Sequence, residues 1–166
     1  MTLVDRYADA TLVAGKLGNA AFVTGDKTIT IVSQLEIVAA DDNNSVYRIA
    51  ANINPDLIPI RIEIMADAAL TITDANLGIY ESGASGAVID DNALADAIDF
   101  SSGFARTAKA DGLAAVAIAD NQKRIYELAG HTQATKKTGY DLGFVTIAKG
   151  AGGAGTISTT MEFVQG

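Results

Sequence analysis

Few residues of this sequence have the type and spacing that catalysis requires. The chain has one histidine, His131, and no cysteine, which excludes a multi-histidine metal site, a thiol nucleophile and a thiolate metal site. A catalytic triad would need His131 beside a serine and an acid, but the G-x-S-x-G pattern of a nucleophile elbow does not occur. Because His131 follows Gly130, where we predict that a helix ends, we expect it to have a helix-end or surface role.

Two acidic pairs have the oxygen ligands that calcium prefers. Asp41-Asp42 and Asp90-Asp91 also resemble the paired carboxylates that cleave glycosidic bonds. Neither pair has the spacing of an EF-hand, and both stand where a turn or a helix cap is expected. We therefore predict turn and cap chemistry at both pairs, and no catalytic residue, metal or cofactor.

The glycine-rich segment Gly150–Gly155 formally matches the dinucleotide fingerprint. That fingerprint requires a helix directly after the glycines, because the helix amino terminus holds the pyrophosphate. The segment 156–164 instead alternates with a period of two and is rich in Thr, Ile and Val. We predict a hairpin over Lys149–Gly155 that joins two strands.

The charge balance argues against polyanionic partners. The 166 residues include 12 Lys and Arg against 20 Asp and Glu, a formal net charge of -8, and the basic residues are scattered. Nucleic acids and anionic membranes both require clustered cations, and the pairs Lys123-Arg124 and Lys136-Lys137 are typical of solvated surface. No apolar run approaches the roughly 20 residues of a membrane span, and the start lacks the pattern of a signal peptide. We expect a soluble protein that binds neither nucleic acid nor membrane.

The first 25 residues differ from the rest of the chain. They are rich in Ala and Gly, and their apolar residues follow neither a helical nor a strand period. We predict an irregular N-terminal arm over 1–25 and a single β domain over 26–166. The arm supplies our candidate interface residues, which are Leu12, Val13, Leu17 and Phe22.

Alternating apolar residues dominate the chain from Thr28 onward. Short runs of period two, separated by turn signals about 8 to 12 residues apart, favour an antiparallel β-sandwich or barrel. The predicted strands cover about 28–37, 47–53, 58–64, 70–72, 77–79, 140–144 and 157–163. Pro59 should lie at a strand start or on an edge, because it cannot donate to a ladder. Short helices are predicted over about 91–98 and 120–129.

Several segments, in order over most of the chain, share their pattern with a known family. They are Ala14-Gly15-Lys16-Leu17, Val46-Tyr47-Arg48-Ile49, Asp74-Ala75-Asn76-Leu77-Gly78-Ile79-Tyr80-Glu81, Gly86-Ala87-Val88-Ile89-Asp90, Ala97-Ile98-Asp99-Phe100-Ser101, Arg124-Ile125-Tyr126-Glu127-Leu128-Ala129-Gly130 and Gly139-Tyr140-Asp141. In these segments the chain resembles the small head decoration, or cement, proteins of tailed bacteriophages, especially the jelly-roll type.

The resemblance implies a jelly-roll sandwich without enzymatic activity. It further implies a protein that is made in the host cytoplasm, binds the outer surface of an assembled capsid, and stabilises the shell by bridging major capsid proteins. Members of this family commonly act as homodimers or homotrimers. Two alternatives stay open: another virion component, such as a head fibre or tail protein, and a jelly-roll carbohydrate-binding module.

Overall fold

The computed structural model describes residues 5–7, 21–22 and 28–165, and these residues form ten strands. One α-helical turn, α1 (Ile125–Leu128), and a 3₁₀ turn at Ile118–Asp120 lie between β8 and β9. The strands are β1 (Asp5–Tyr7), β2 (Ala21–Phe22), β3 (Thr28–Ile37), β4 (Val46–Ile53), β5 (Leu57–Ala66), β6 (Ile72–Glu81), β7 (Val88–Ala95), β8 (Ala110–Asp111), β9 (Tyr140–Lys149) and β10 (Gly155–Gln165).

The strand order is that of a jelly roll. One sheet has the order β1-β4-β9-β6-β7 and the other β2-β3-β10-β5-β8. From β3 to β10 the chain changes sheet at every connection except β6 to β7, so that each sheet takes four of these eight strands, as in two interlocked Greek keys. All pairs among these eight strands are antiparallel. The predicted sandwich and its implied jelly-roll form are confirmed.

The core between the sheets follows the alternation of the sequence. In β3, the residues Ile31, Leu35 and Ile37 are buried, whereas Val32, Gln34 and Glu36 face solvent. A polar pair continues the inward row, because the Oγ of Ser33 lies 2.9 Å from the Oγ1 of Thr159 across β3 and β10. Each buried hydroxyl thus has a partner, and the strand continues unbroken through Ser33.

A bulge in β5 reverses the predicted face of several residues. Glu162 of β10 pairs with Arg61 and Phe163 pairs with Pro59, so Ile60 is the extra residue. As a result Pro59 is buried and Ile60 is 47% exposed. The sequence pattern predicted Ile60 on the same face as Ile62, and this was wrong because an inserted residue shifts the period of two by one position.

Other local predictions were also corrected. The helix predicted over about 91–98 is absent, since residues 88–95 form β7. The helix predicted over about 120–129 is shorter, and it is capped by the Glu127 carboxylate, which accepts the Arg124 N–H at 2.8 Å. Its predicted stop is present, because Gly130 has a left-handed φ of 71°.

Two connections differ from the sequence pattern. The short strands predicted over 70–72 and 77–79 form one continuous strand, β6. The segment predicted as a hairpin, Lys149–Gly155, instead connects the two sheets, because β9 pairs with β4 and β6 whereas β10 pairs with β3 and β5. Thr71 holds this connection through hydrogen bonds from its Oγ1 to the carbonyl oxygens of Gly150 and Gly152, at 2.9 and 3.0 Å.

Two short strands come from the region predicted as an arm. β1 pairs with β4 in parallel, and β2 pairs with β3 in antiparallel orientation. Both add to outer strands of the sandwich, and β3 and β4 contact each other between the sheets. The described part of the arm therefore lies along one lateral edge of the jelly roll.

Candidate interaction surfaces

His131 has a structural position. Its Nδ1 lies 2.6 Å from the hydroxyl oxygen of the buried Tyr140, and that oxygen also accepts the Lys137 N–H at 3.0 Å. The His131 N–H donates to the Tyr126 carbonyl at 2.8 Å. These contacts attach the residues after α1 to β9. They match the helix-end role predicted for this histidine.

One residue of each acidic pair, Asp41 and Asp90, accepts a hydrogen bond from a nearby backbone N–H. One Asp41 carboxylate oxygen accepts both the Val38 N–H at 3.1 Å and the Tyr47 hydroxyl at 2.9 Å. Asp90 and Asp91 lie in β7, and Asp90 accepts the Asn92 N–H at 3.3 Å. In the part of the chain that the structure describes, no three His, Asp or Glu side chains converge to hold a metal ion. The turn role is confirmed at Asp41, whereas the helix-cap role predicted for Asp90-Asp91 was wrong because the segment is a strand.

The basic pairs lie on the surface, where they form ion pairs. Lys136 contacts the Asp56 carboxylate at 2.6 Å, and Lys137 contacts Glu81 at 2.7 Å. The second contact lowers the pKa of Glu81 and raises that of Lys137, chiefly through their hydrogen bond. Lys123 pairs with Asp120 at 2.8 Å.

The predicted interface residues of the arm are placed only in part. Leu12, Val13 and Leu17 lie outside the described residues. For Phe22 the structure gives the backbone, which belongs to β2 and pairs with Ile29. No helix in the described ranges is long and apolar enough to cross a membrane.

The outward face of the β4-β9-β6 sheet carries a buried ion pair. Arg48 and Asp141 have relative side-chain exposures of 1% and 0%, and their Nη1 and Oδ2 atoms are 3.8 Å apart. The Arg48 guanidinium stacks 4.2 Å from the centre of the Tyr80 ring and donates to the Gly86 carbonyl at 2.7 Å. One oxygen of Asp141 accepts the Ser82 hydroxyl at 2.7 Å and the Asn52 N–H at 2.8 Å. The pair thus fixes the connection from β6 to β7 against the sheet.

A close backbone approach covers the same face. At Gly78 of β6, an added Cβ would lie only 2.3 Å from the Asp90 carbonyl oxygen and 2.4 Å from the Asp91 Cα. These backbone atoms belong to an irregularity in β7, where the pairing with β6 shifts. Only glycine leaves room for this contact.

The outward face of the β3-β10-β5 sheet is polar and open. Val32 is 53% exposed at its centre. Arg61 donates from both Nε and Nη2 to the Glu162 carboxylate, with an Nε–Oε2 distance of 3.1 Å. Lys109 contacts Glu63 at 2.5 Å, and this hydrogen bond is the main reason that the Glu63 pKa is lowered. The face has charges of both signs that are already paired.

Two adjoining grooves are lined by the segment between β8 and α1. One of them also includes Pro59 and Ile60 of β5. The apolar groove has a volume of about 340 Å³, and its lining combines the apolar Pro59, Ile60, Leu113, Val116 and Leu128 with the polar Asp120, Asn121 and Gln122. The acidic groove also has a volume of about 340 Å³ and includes Asp90, Asp96, Asp120 and Glu127. Val116, Asp120 and Leu128 line both grooves. The two grooves therefore adjoin, and we refer to them together as the depression.

Comparison with solved structures finds a chain of similar fold. No family model matches the chain, and no curated protein matches it. A chain of the solved structure named "Capsid of Ralstonia phage GP4" matches it with a TM-score of 0.52 and 14% sequence identity, over 87% of both chains. The fold is similar to that of a phage capsid chain. At this identity the likeness shows the jelly-roll fold alone.

The sequence reasoning missed the buried ion pair and the two grooves. Arg48 alternates with the apolar Tyr47 and Ile49, a pattern that favours a position facing solvent and gives no sign of burial. The sequence does contain a charge of opposite sign, Asp141, which alternates with apolar residues of another strand in the same way. That signal becomes useful only when the strand order is known.

Proposed function

We propose that this chain is a structural protein of a phage virion that binds the outer surface of the assembled capsid. In this role it bridges neighbouring major capsid proteins and stabilises the shell, and it catalyses no reaction. The observation that supports the proposal most directly is the jelly roll shared with a phage capsid chain along 87% of both chains. The segment resemblance to decoration proteins supports the finer assignment to the outer surface.

The arrangement of the molecule suits a contact role. The most distinctive polar residues, Arg48 and Asp141, are used to hold strands and loops together. The described residues of the predicted arm, 5–7 and 21–22, pair with β4 and β3 at the lateral edge that these two strands form. We propose that residues 1–25, through Leu12, Val13, Leu17 and Phe22, contribute to assembly with the shell or with another copy. Weak contacts of this kind gain strength when they repeat over a lattice.

A binding experiment with shells tests the proposal. The purified chain is mixed with undecorated shells of the source phage, and the particles are sedimented and imaged by cryo-electron microscopy. We expect density at a fixed stoichiometry on the outer surface and a higher melting temperature of the decorated shell. Absence of density on the shell contradicts the proposal. Labelling confined to tails or fibres would instead assign the chain to another virion component.

A truncation tests the role of the arm. A variant without residues 1–25 should keep the circular dichroism spectrum of a β protein but lose shell binding, because the arm is proposed to serve assembly. The matched control is the full chain with Val32→Ser on the open face. If the truncated chain unfolds, residues 1–25 belong to the folded domain.

A further inference from the structure

The depression formed by the apolar and acidic grooves lies at the surface, above lining residues Leu113, Val116 and Leu128 that pack partly against the core. Its apolar floor exists because the β5 bulge turns Ile60 outward, to 47% exposure, rather than into the core. Ile118, in the 3₁₀ turn between Val116 and Asp120, is 90% exposed, the highest value among the exposed large apolar residues of the described chain. Ile118 is a single exposed residue outside the lining of both grooves, whereas Ile60, Leu113, Val116 and Leu128 line the apolar groove together. A contiguous apolar group of this kind is typical of a binding site.

The acidic groove has an unbalanced charge. Lys123 pairs with Asp120, and Arg124 lies 3.9 Å from Glu127. Among the described residues, no lysine or arginine forms an ion pair with Asp90 or Asp96. The depression therefore has an apolar half and a half with excess negative charge.

The charge and the volume of the depression indicate which kind of partner it can bind. A second copy would bring its own acidic groove, and each chain has a formal net charge of -8, so self-association through this surface would be opposed by repulsion. A volume of about 340 Å³ lies near the lower end of the roughly 300–1,000 Å³ typical of small-ligand sites. It suits one or two aliphatic side chains.

We infer that the depression binds an extended polypeptide segment of a partner protein, with an aliphatic side chain in the apolar groove and a neighbouring lysine or arginine in the acidic groove. The inference deepens the proposed function, because the shell is the partner expected to carry such a segment. Burial of the aliphatic group supplies affinity, and the charge selects the sequence around it.

Nuclear magnetic resonance with synthetic peptides tests the inference without shells. The ¹⁵N-labelled full chain is titrated with a capped peptide in which one leucine is flanked by lysines. We expect saturable shifts at the amides of Ile60, Val116, Ile118 and Asp120, with a millimolar dissociation constant that increases with salt. Two control peptides replace either the leucine by serine or the lysines by glutamates, and both should bind at least about threefold more weakly, a difference of roughly 0.7 kcal/mol.

Variants of the protein separate the two grooves. Ile60→Ser, in the lining of the apolar groove, should weaken peptide binding, and Asp90→Asn with Asp96→Asn should weaken it and flatten its salt dependence. Val32→Ser and Glu36→Gln, on the open face, are the matched controls and should leave the affinity unchanged. No saturable shift in the depression, or equal binding of the glutamate peptide, overturns the inference. Peptide binding without shell binding contradicts the proposed function alone, whereas shell binding unaffected by the groove variants contradicts this inference alone.

Discussion

The outward faces of the two sheets each contain an arginine–carboxylate pair, and the pairs differ in their surroundings. Arg48 and Asp141 have exposures of 1% and 0%, whereas Arg61 and Glu162 have exposures of 51% and 22%. Water screens the second pair and is excluded from the first, where each charge depends on fixed partners. The same kind of ion pair thus stabilises the fold on the first face, whereas on the second face it lies at the surface and contributes little to stability.

The cause of this difference is the connection that follows β6. Gly86 accepts a hydrogen bond from Arg48, and the backbone of Asp90 and Asp91 lies against Gly78. On the open face Val32 is 53% exposed, so the described residues do not cover it in the same way. We conclude that the covered face is part of the fold, whereas the grooves remain available for a partner.

The largest expected effect is on the buried pair. Arg48→Met removes the cation and leaves the Asp141 carboxylate buried, so we expect the free energy of unfolding to fall by about 3–5 kcal/mol. Urea denaturation measures this change. Arg61→Met, on the open face, is the matched control and should have a much smaller effect.

A double variant sharpens the same comparison. Arg48→Met combined with Asp141→Leu should lose less stability than the sum of the two single changes, because no unpaired charge remains. Equal losses from Arg48→Met and Arg61→Met would show that burial does not distinguish the two pairs.

An intermediate effect is expected at Gly78. In Gly78→Ala the new Cβ would meet the Asp90 carbonyl oxygen at 2.3 Å, so β7 must shift, at a cost of about 1–3 kcal/mol. Gly150→Ala is the control, because its nearest contact is the Thr71 Cβ at 3.4 Å. Thermal denaturation should give a lower melting temperature for the first variant only. If both variants melt like the unmodified chain, the close packing of β7 on β6 is wrong.

The smallest effect concerns the charges of the open face. Lys109 lowers the pKa of Glu63 from its ordinary value of 4.5, so the pair adds stability above that value and loses it as the pH falls through the lowered pKa. The stability difference between the unmodified chain and Lys109→Met should therefore shrink below pH 4.5. Lys149→Met is the control, because the Lys149 ammonium bonds to the carbonyls of Ala39 and Gly152. A difference that does not change with pH would mean that the Glu63–Lys109 contact is absent in solution.

Alternation in the sequence predicted much of the sandwich. The strands β3 and β10 coincide with runs of period two, because each has one face on the core and a more exposed face on the other side. The helix end at Gly130 was also predicted, because its left-handed backbone conformation depends only on neighbouring residues.

The predictions that failed depend on contacts between residues that are far apart in the sequence. The role of Ile60 depends on a bulge opposite β10, and β7 lacks alternation because its pairing with β6 is irregular. Burial of Arg48 depends on Asp141, which lies 93 positions later in the sequence and enters an adjacent strand. No pattern within a single segment contains such pairings, so the grooves and the covered face became visible only in three dimensions.

The positions of β9 and β10 have a consequence for synthesis of the chain. β9 lies between β4 and β6 in one sheet, and β10 lies between β3 and β5 in the other. Residues 140–165 therefore complete the centre of both sheets, and neither sheet can close until the ribosome has synthesised them. Until then β3 to β6 have exposed edges, a state in which β proteins fold slowly and aggregate readily. A prematurely terminated chain would lack the interior of both layers rather than one strand at the margin.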